Sequence, residues 1–259
     1  MKISIQGLNH PNQDAVGSYK KTFWVLDGAT PLFEQVLGGF DVERTVRMVS
    51  SNLTRHGNSN MPLVDLLDIA VDEAAQEFRM IIPYFDSIER YRLPTFACAL
   101  GRIEGDELSY LILADCEIRT STGKRLTDPS FLKTSAANQE NEREILRKYG
   151  AENLEDLGRV KRKKALTEIW ELNEKQRMKL NTPEGYWIGS LDGAGILHAF
   201  QGKIRLEADE HVYAMSDGFA HLVDADPEIL NISSDNEMRT RINELRNVTD
   251  DDVSMVAIR

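Results

Sequence analysis

Thr22-Phe23-Trp24-Val25-Leu26-Asp27-Gly28 is the stretch on which the fold turns, because five strand-forming residues run without a break into Asp-Gly. Aromatic and β-branched side chains suit a pleated, buried surface, so a strand is expected over Thr22–Leu26. A carboxylate at a strand end sits on a rigid element, and the glycine after it lets backbone or ligand come close. The same design returns late in the chain as Val212-Tyr213-Ala214-Met215-Ser216-Asp217-Gly218. Leu191-Asp192-Gly193 lacks a β-rich run before it and lies among Gly189, Ser190 and Gly195, so it reads as a loop. A lone Asp-Gly is more often a turn than a site.

Working outward, Lys2–Ile5 alternates polar and apolar residues as a short strand does. After Gly28, Val42, Val46, Val49 and Leu53 share one helical face, with Asp41 placed to cap its start and Gly57 beyond its end. Leu63, Leu66, Leu67, Ala70, Ala74 and Phe78 mark a second helix, and both faces are core. Thr95–Ile103 and Glu107–Leu113 flank Glu104-Gly105-Asp106, the pattern of a short-loop hairpin. A polar, helix-prone segment follows over 128–182, with one helix over Glu142–Lys148 closed by Gly150. A longer helix takes its apolar contacts from Leu166, Ile169, Trp170 and Leu172. Its basic run Arg159–Lys164 reads as a solvated face, and Tyr186 and Trp187 as core aromatics. Strands are expected at Lys203–Leu206, His211–Met215 and Val253–Ile258, with a helix near Glu237–Arg246. Early and late strand blocks with helices between them give an α+β fold. With no persuasive linker, 1–259 reads as one domain carrying a helical insertion over 128–182.

Composition narrows the function. A formal net charge of -11 argues against a nucleic-acid partner and against an anionic membrane surface, both of which need a basic footprint. No secretory pattern opens the chain and no apolar run is long enough to span a bilayer, so a cytoplasmic location is expected. The two cysteines, Cys98 and Cys116, each sit in an apolar run and read as buried free thiols, with no Cys/His spacing suited to zinc.

Acidic residues recur beside the strands. Asp250-Asp251-Asp252 precedes the last strand, Asp14 precedes the strand that ends in Asp27, and Asp115 closes Tyr110–Ala114. Three adjacent like charges repel unless solvated or neutralised by a cation. Carboxylate oxygens without Cys or His suit hard cations such as Mg²⁺ or Mn²⁺.

The order of the pieces is more specific than any one of them. NQDA at Asn12–Ala15, VLDG at Val25–Gly28, AMSDGF at Ala214–Phe219 and DDVSMVAI at Asp251–Ile258, in that sequence, resemble the protein phosphatase 2C family of metal-dependent serine/threonine phosphatases, as a divergent bacterial-type member. The resemblance covers nearly the whole chain. It implies two facing antiparallel sheets flanked by helices, a four-layer α-β-β-α sandwich with a flap-like insertion packed beside the site. It also implies two divalent cations, Mn²⁺ or Mg²⁺, and a bridging hydroxide that attacks a phosphoserine or phosphothreonine of a protein substrate. Carried across by motif, Asp27 would bridge the metals with the Gly28 carbonyl as a further ligand. Asp217 and Asp251 would hold the first metal and Asp14 the second, with Asp115 where the family often serves a third. Catalysis would rest on Asp27, Asp217 and Asp251 through metal-bound water.

The chain departs from the family where substrate is handled. The arginine that commonly precedes the Asn-Gln-Asp motif is replaced by Leu8-Asn9-His10-Pro11, and the usual Gly-Asp-Ser is Ala114-Asp115-Cys116. His10 lies beside a proposed metal motif and could serve as an acid, although a loop histidine is usually incidental. No residue is assigned to substrate binding. The alternative to an enzyme is a catalytically weak phosphatase-like regulatory or binding module, which the missing arginine favours.

Overall fold

A computed structural model describes residues 3–5, 12–33, 41–232, 234–245, 247–249 and 251–258. The stretch Leu8–Pro11, with His10, and Asp250 lie outside the described residues. Among those residues the chain forms two antiparallel sheets and six α-helices, an α+β fold.

The first sheet orders β2 (Ala15–Tyr19), β3 (Thr22–Gly28), β4 (Thr95–Glu104), β5 (Glu107–Leu113) and β9 (Phe200–Arg205). The two-residue β8 (Gly189–Ser190) is added on β4. In the second, β1 (Ile3–Ile5), β11 (Met255–Ile258), β10 (Val212–Met215), β6 (Glu117–Thr120) and β7 (Arg125–Leu126) lie side by side.

The unbroken apolar run of β3 has a direct explanation, since both of its faces are covered. Trp24 and Leu26 point into a core with α1 (Asp41–His56) and α2 (Leu63–Ile81). Phe23 and Val25 point the other way, into a core shared with Val212, Ala214 and Val256 of the second sheet. Tyr213 and Met215, on the far face of β10, pack against α5 (Asp217–Ala225) and α6 (Asp235–Glu244). Strict alternation along β3 and β10 therefore builds four layers: helices, sheet, sheet, helices. Each fully buried side chain of this kind contributes about 1.5–3 kcal/mol.

Between the sheets' two halves of sequence run α3 (Pro129–Lys148) and α4 (Arg159–Arg177). The expected first helix here starts far earlier than Glu142, because Asp128 caps it: its carboxylate accepts the Ser130 and Phe131 N–H groups, and Pro129 fills the first turn. The expected apolar contacts of α4 need correction. Leu166 is 44% exposed and Trp170 49% exposed, and only Ala165 and Arg177 are buried on that helix. A two-helix hairpin that meets the sheets mainly at its base cannot enclose side chains farther along. Tyr186 and Trp187 are half-buried, with Tyr186 edge-on to Phe131 and Trp187 stacked on His198 at 3.4 Å.

Candidate metal centre

Register brings the acidic residues to one end of the sandwich. In the β2–β3 pair Ala15 faces Leu26, so one residue further along Asp14 comes opposite Asp27. In the β10–β6 pair Met215 faces Glu117, and continuing that pairing sets Asp217 toward Asp115. Each sheet thus supplies two carboxylates at its end. Asp115 occupies the crossing from β5 in one sheet to β6 in the other, beside Ala114 at a left-handed φ of 64°.

The segment before β11 is tied into the same place. Ser216 N–H donates to the Ser254 carbonyl at 3.0 Å, and Ser254 N–H donates to the Ser216 hydroxyl at 3.0 Å. Asp252, 7% exposed, accepts the Gln13 N–H at 2.9 Å, joining the Asp14 and Asp251 segments across 239 residues of chain. The glycines of the two Asp-Gly pairs allow these approaches. A Cβ on Gly28 would lie 2.3 Å from the Gln13 carbonyl oxygen, and one on Gly218 would lie 2.1 Å from that of Asp252.

The electrostatics follow from crowding. Burial pushes the Asp14 carboxyl up to about 7, and the charges of Asp252, Asp251 and Asp217 add to this, while Ser254 opposes it. Asp27 is held well above the ordinary carboxylate range by burial, then by the charges of Asp14, Asp217 and Asp115. Asp115 is raised to about 7 by its surroundings of protein and by Asp217 and Asp251. Its surface still meets solvent, as does that of Asp251, so these two sit in a recess walled by protein but open to water, where screening weakens the effect. Asp251 is raised by burial and by Asp217.

Elsewhere the chain neutralises a buried carboxylate differently. Glu117, two residues beyond Asp115, pairs with Arg119 and Arg125. Among the described residues no basic side chain pairs in this way with Asp27, Asp115, Asp217 or Asp251. The donor set is therefore oxygen-only and crowded with like charge, the chemistry of a hard divalent cation. Among the described residues, however, no three His, Cys, Asp or Glu side chains are drawn together closely enough to hold an ion as they stand. Thiol chemistry does not compete, because burial raises both Cys98 and Cys116 far from any reactive thiolate.

Asp252, Ser216 and Ser254 join this site without having been singled out from sequence. The triple Asp before the last strand was a clue to the first; the serine pair is ordinary until β10 and β11 are laid side by side.

The base of the helical hairpin reaches the same end of the sandwich. Arg177, 5% exposed, donates to the Thr95 hydroxyl at 2.6 Å and to the Leu93 and Tyr91 carbonyls at 3.3 and 3.2 Å. The Thr95 carbonyl accepts the Ala29 N–H at 3.0 Å, just past Asp27-Gly28.

No family model matches the sequence, and no curated protein is significantly similar to it in sequence. Solved structures are similar in fold over nearly the whole length. The catalytic domain of the serine/threonine protein phosphatase PstP, in complex with two manganese ions, superposes with a TM-score of 0.57 at 18% identity, covering 99% of this chain and 95% of that one. PppA, a regulatory component of T6SS in Pseudomonas aeruginosa, gives 0.58 at 12% identity over 100% and 96%. The serine/threonine phosphatase of S. agalactiae gives 0.58 at 16% identity over 99% and 96%.

Proposed function

We propose, from the fold that this chain shares with bacterial serine/threonine phosphatases, that it is a metal-dependent phosphomonoesterase acting on phosphoserine or phosphothreonine in proteins. The observation that carries the reading is that Asp14, Asp27, Asp115, Asp217 and Asp251 lie at one sandwich end, near enough for their charges to repel though not converged on one point.

In this reading Asp14, Asp27, the Gly28 carbonyl, Asp217 and Asp251 hold two divalent cations, Mn²⁺ or Mg²⁺, with Asp115 available to another. Bound there, such ions supply the positive charge that activates water and offsets the charge of phosphoryl oxygens. The chain's own residues set the geometry. Asp27 stands one residue before the end of a buried strand, which holds its carboxylate in place. The Gly218 N–H donates to the Asp217 carboxylate at 2.6 Å and the Asp252 N–H to the Asp251 carboxylate at 2.8 Å, each fixing one oxygen and leaving the other for a cation. Asp252 pins the recess by accepting the Gln13 N–H. Segment 128–182 forms a flap within a single 1–259 domain, its base anchored beside Asp27 through Arg177 and Thr95. Among the described residues no helix is long and apolar enough to cross a membrane, and we take the enzyme to work in the cytoplasm.

The test is manganese-dependent hydrolysis of an aryl phosphate and of a phosphoserine peptide, with Asp27→Asn as control and metal binding followed by calorimetry. Turnover that requires metal and Asp27 supports the proposal. Metal binding without turnover on either substrate favours the second reading, a phosphatase-like regulatory module, to which the unconverged carboxylates also speak.

A further inference from the structure

At the opposite end of β3, Thr22, Arg102, Ser109 and Lys203 form one row across β3, β4, β5 and β9. The row lies on the face that turns toward α1 and α2, beneath their connection, and a cavity of about 390 Å³ opens over it. Arg102, Glu104, Ser109, Gln201 and Lys203 line one side; Met61 and Pro62 of the connection line the other.

Arg102 is 8% exposed, and among the described residues its guanidinium is engaged only by neutral oxygens. It donates from Nη1 to the Met61 carbonyl at 2.6 Å and from Nε to the Thr22 hydroxyl at 3.3 Å. Its Nη2 is buried with no acceptor among the described residues. A buried cation without a counter-charge is unfavourable, because desolvation is not repaid by attraction. Lys203 stands two strands away in the same row, its side chain 65% exposed. It contacts Glu107 at 2.7 Å, and Glu104 at the cavity rim contacts Lys21 at 3.6 Å. Both are solvent-exposed pairs of small worth, and either can open for a better partner.

We infer that this cavity binds a small oxyanion, phosphoryl or carboxylate, carried on a short apolar body. The headgroup sits over Ser109 between Arg102 and Lys203, and the body lies against Met61 and Pro62. Arg102 pairs with Thr22 and Asp27 with Ala97, so the two regions are five residues apart on β3, about 17 Å at 3.3–3.4 Å per residue. The site is separate from the acidic cluster and requires no metal.

The experiment is calorimetric titration of the metal-stripped full chain with phenylphosphonate and, separately, with benzoate. Stripping the metal leaves the acidic cluster without positive charge, so it offers nothing to hold either anion. At least one probe binds the wild type, and the two arms tell which headgroup is preferred. Lys203→Ala weakens binding about threefold or more. Ser109→Asp places a carboxylate between the two cations; it weakens binding about tenfold or more and raises the melting temperature of the ligand-free protein. Failure of both probes to bind, or affinities in Lys203→Ala and Ser109→Asp equal to wild type, would overturn the proposal and leave Arg102 as a brace for the α1–α2 connection. Should Ser109→Asp fail to fold, the Lys203→Ala titration decides alone.

Discussion

The carboxyl groups of Asp27 and Asp217 stand one at the end of each sheet, near enough across the gap for the charge of Asp217 to raise that of Asp27. Burial does most to hold Asp27 above its ordinary range, and the neighbouring charges of Asp14, Asp217 and Asp115 add to the cost of ionising it. Replacing Asp27 by Asn removes that conflict and also a metal ligand of the proposed site. We expect Asp27→Asn to fold at least as stably as wild type without metal, and to lose about 100-fold or more of manganese-dependent hydrolysis. Melting curves with and without Mn²⁺, beside aryl phosphate turnover, check both halves.

Stability should depend on pH with a definite sign. Asp14 and Asp115 are raised from the ordinary 3.8 to about 7 in the folded chain. A raised acid favours the fold while protonated, so its contribution is complete below about pH 4 and is lost as the pH climbs to about 7. For the metal-free protein, these two residues make stability fall between those limits. Added Mn²⁺ should therefore raise the melting temperature more at pH 7.5 than at pH 5, and Asp14→Asn should flatten the metal-free profile. A metal-free melting temperature that rises steadily from pH 4 to pH 7 in the wild type, unchanged by Asp14→Asn, contradicts the electrostatics described here.

Gly218→Ala is a geometric test. Its Cβ would stand 2.1 Å from the Asp252 carbonyl oxygen, a backbone atom that cannot swing aside. The expected cost is about 1–3 kcal/mol. Because the displaced segment carries Asp251, metal affinity should fall along with stability. A control at Gly158, where a Cβ meets nothing, should leave metal affinity unchanged.

Arg177→Met probes the base of the helical hairpin. It leaves the Leu93 and Tyr91 carbonyls and the Thr95 hydroxyl without their buried donor. A loss of about 2 kcal/mol is expected. Hydrogen exchange should quicken in α4 before it does in β3, and hydrolysis of a phosphopeptide should suffer more than that of an aryl phosphate. Equal effects on both substrates would mean the hairpin does not bear on access.

Much of this was legible because burial on both faces leaves a strong imprint. The β3 run, the α1 and α2 faces and the β4–β5 hairpin are all written in apolar spacing, and each stands where the pattern puts it. β2 was not legible: Ala15-Val16-Gly17-Ser18-Tyr19 is only partly buried, so its pattern carries little contrast. α5 was hidden for another reason. It starts at Asp217 itself, and a strand-end motif masks a helix start. Leu166 and Trp170 misled in the opposite direction, since helical spacing of apolar residues does not reveal whether anything stands opposite them. For the acidic residues, sequence offered the motifs in order; their meeting depends on strand register, which only the folded chain displays.

Because Asp14 and Asp27 travel with one sheet and Asp115 and Asp217 meet at the edge of the other, no strand pairing fixes the distance between the two halves. That distance is governed by what fills the space between the sheets, where Ala97, Ala99 and Ala214 are small and fully enclosed. Those alanines act as shims. Thickening one of them by a few methyl groups would splay the jaws of the cleft, so its aperture can be tuned from the interior without replacing a single acidic residue.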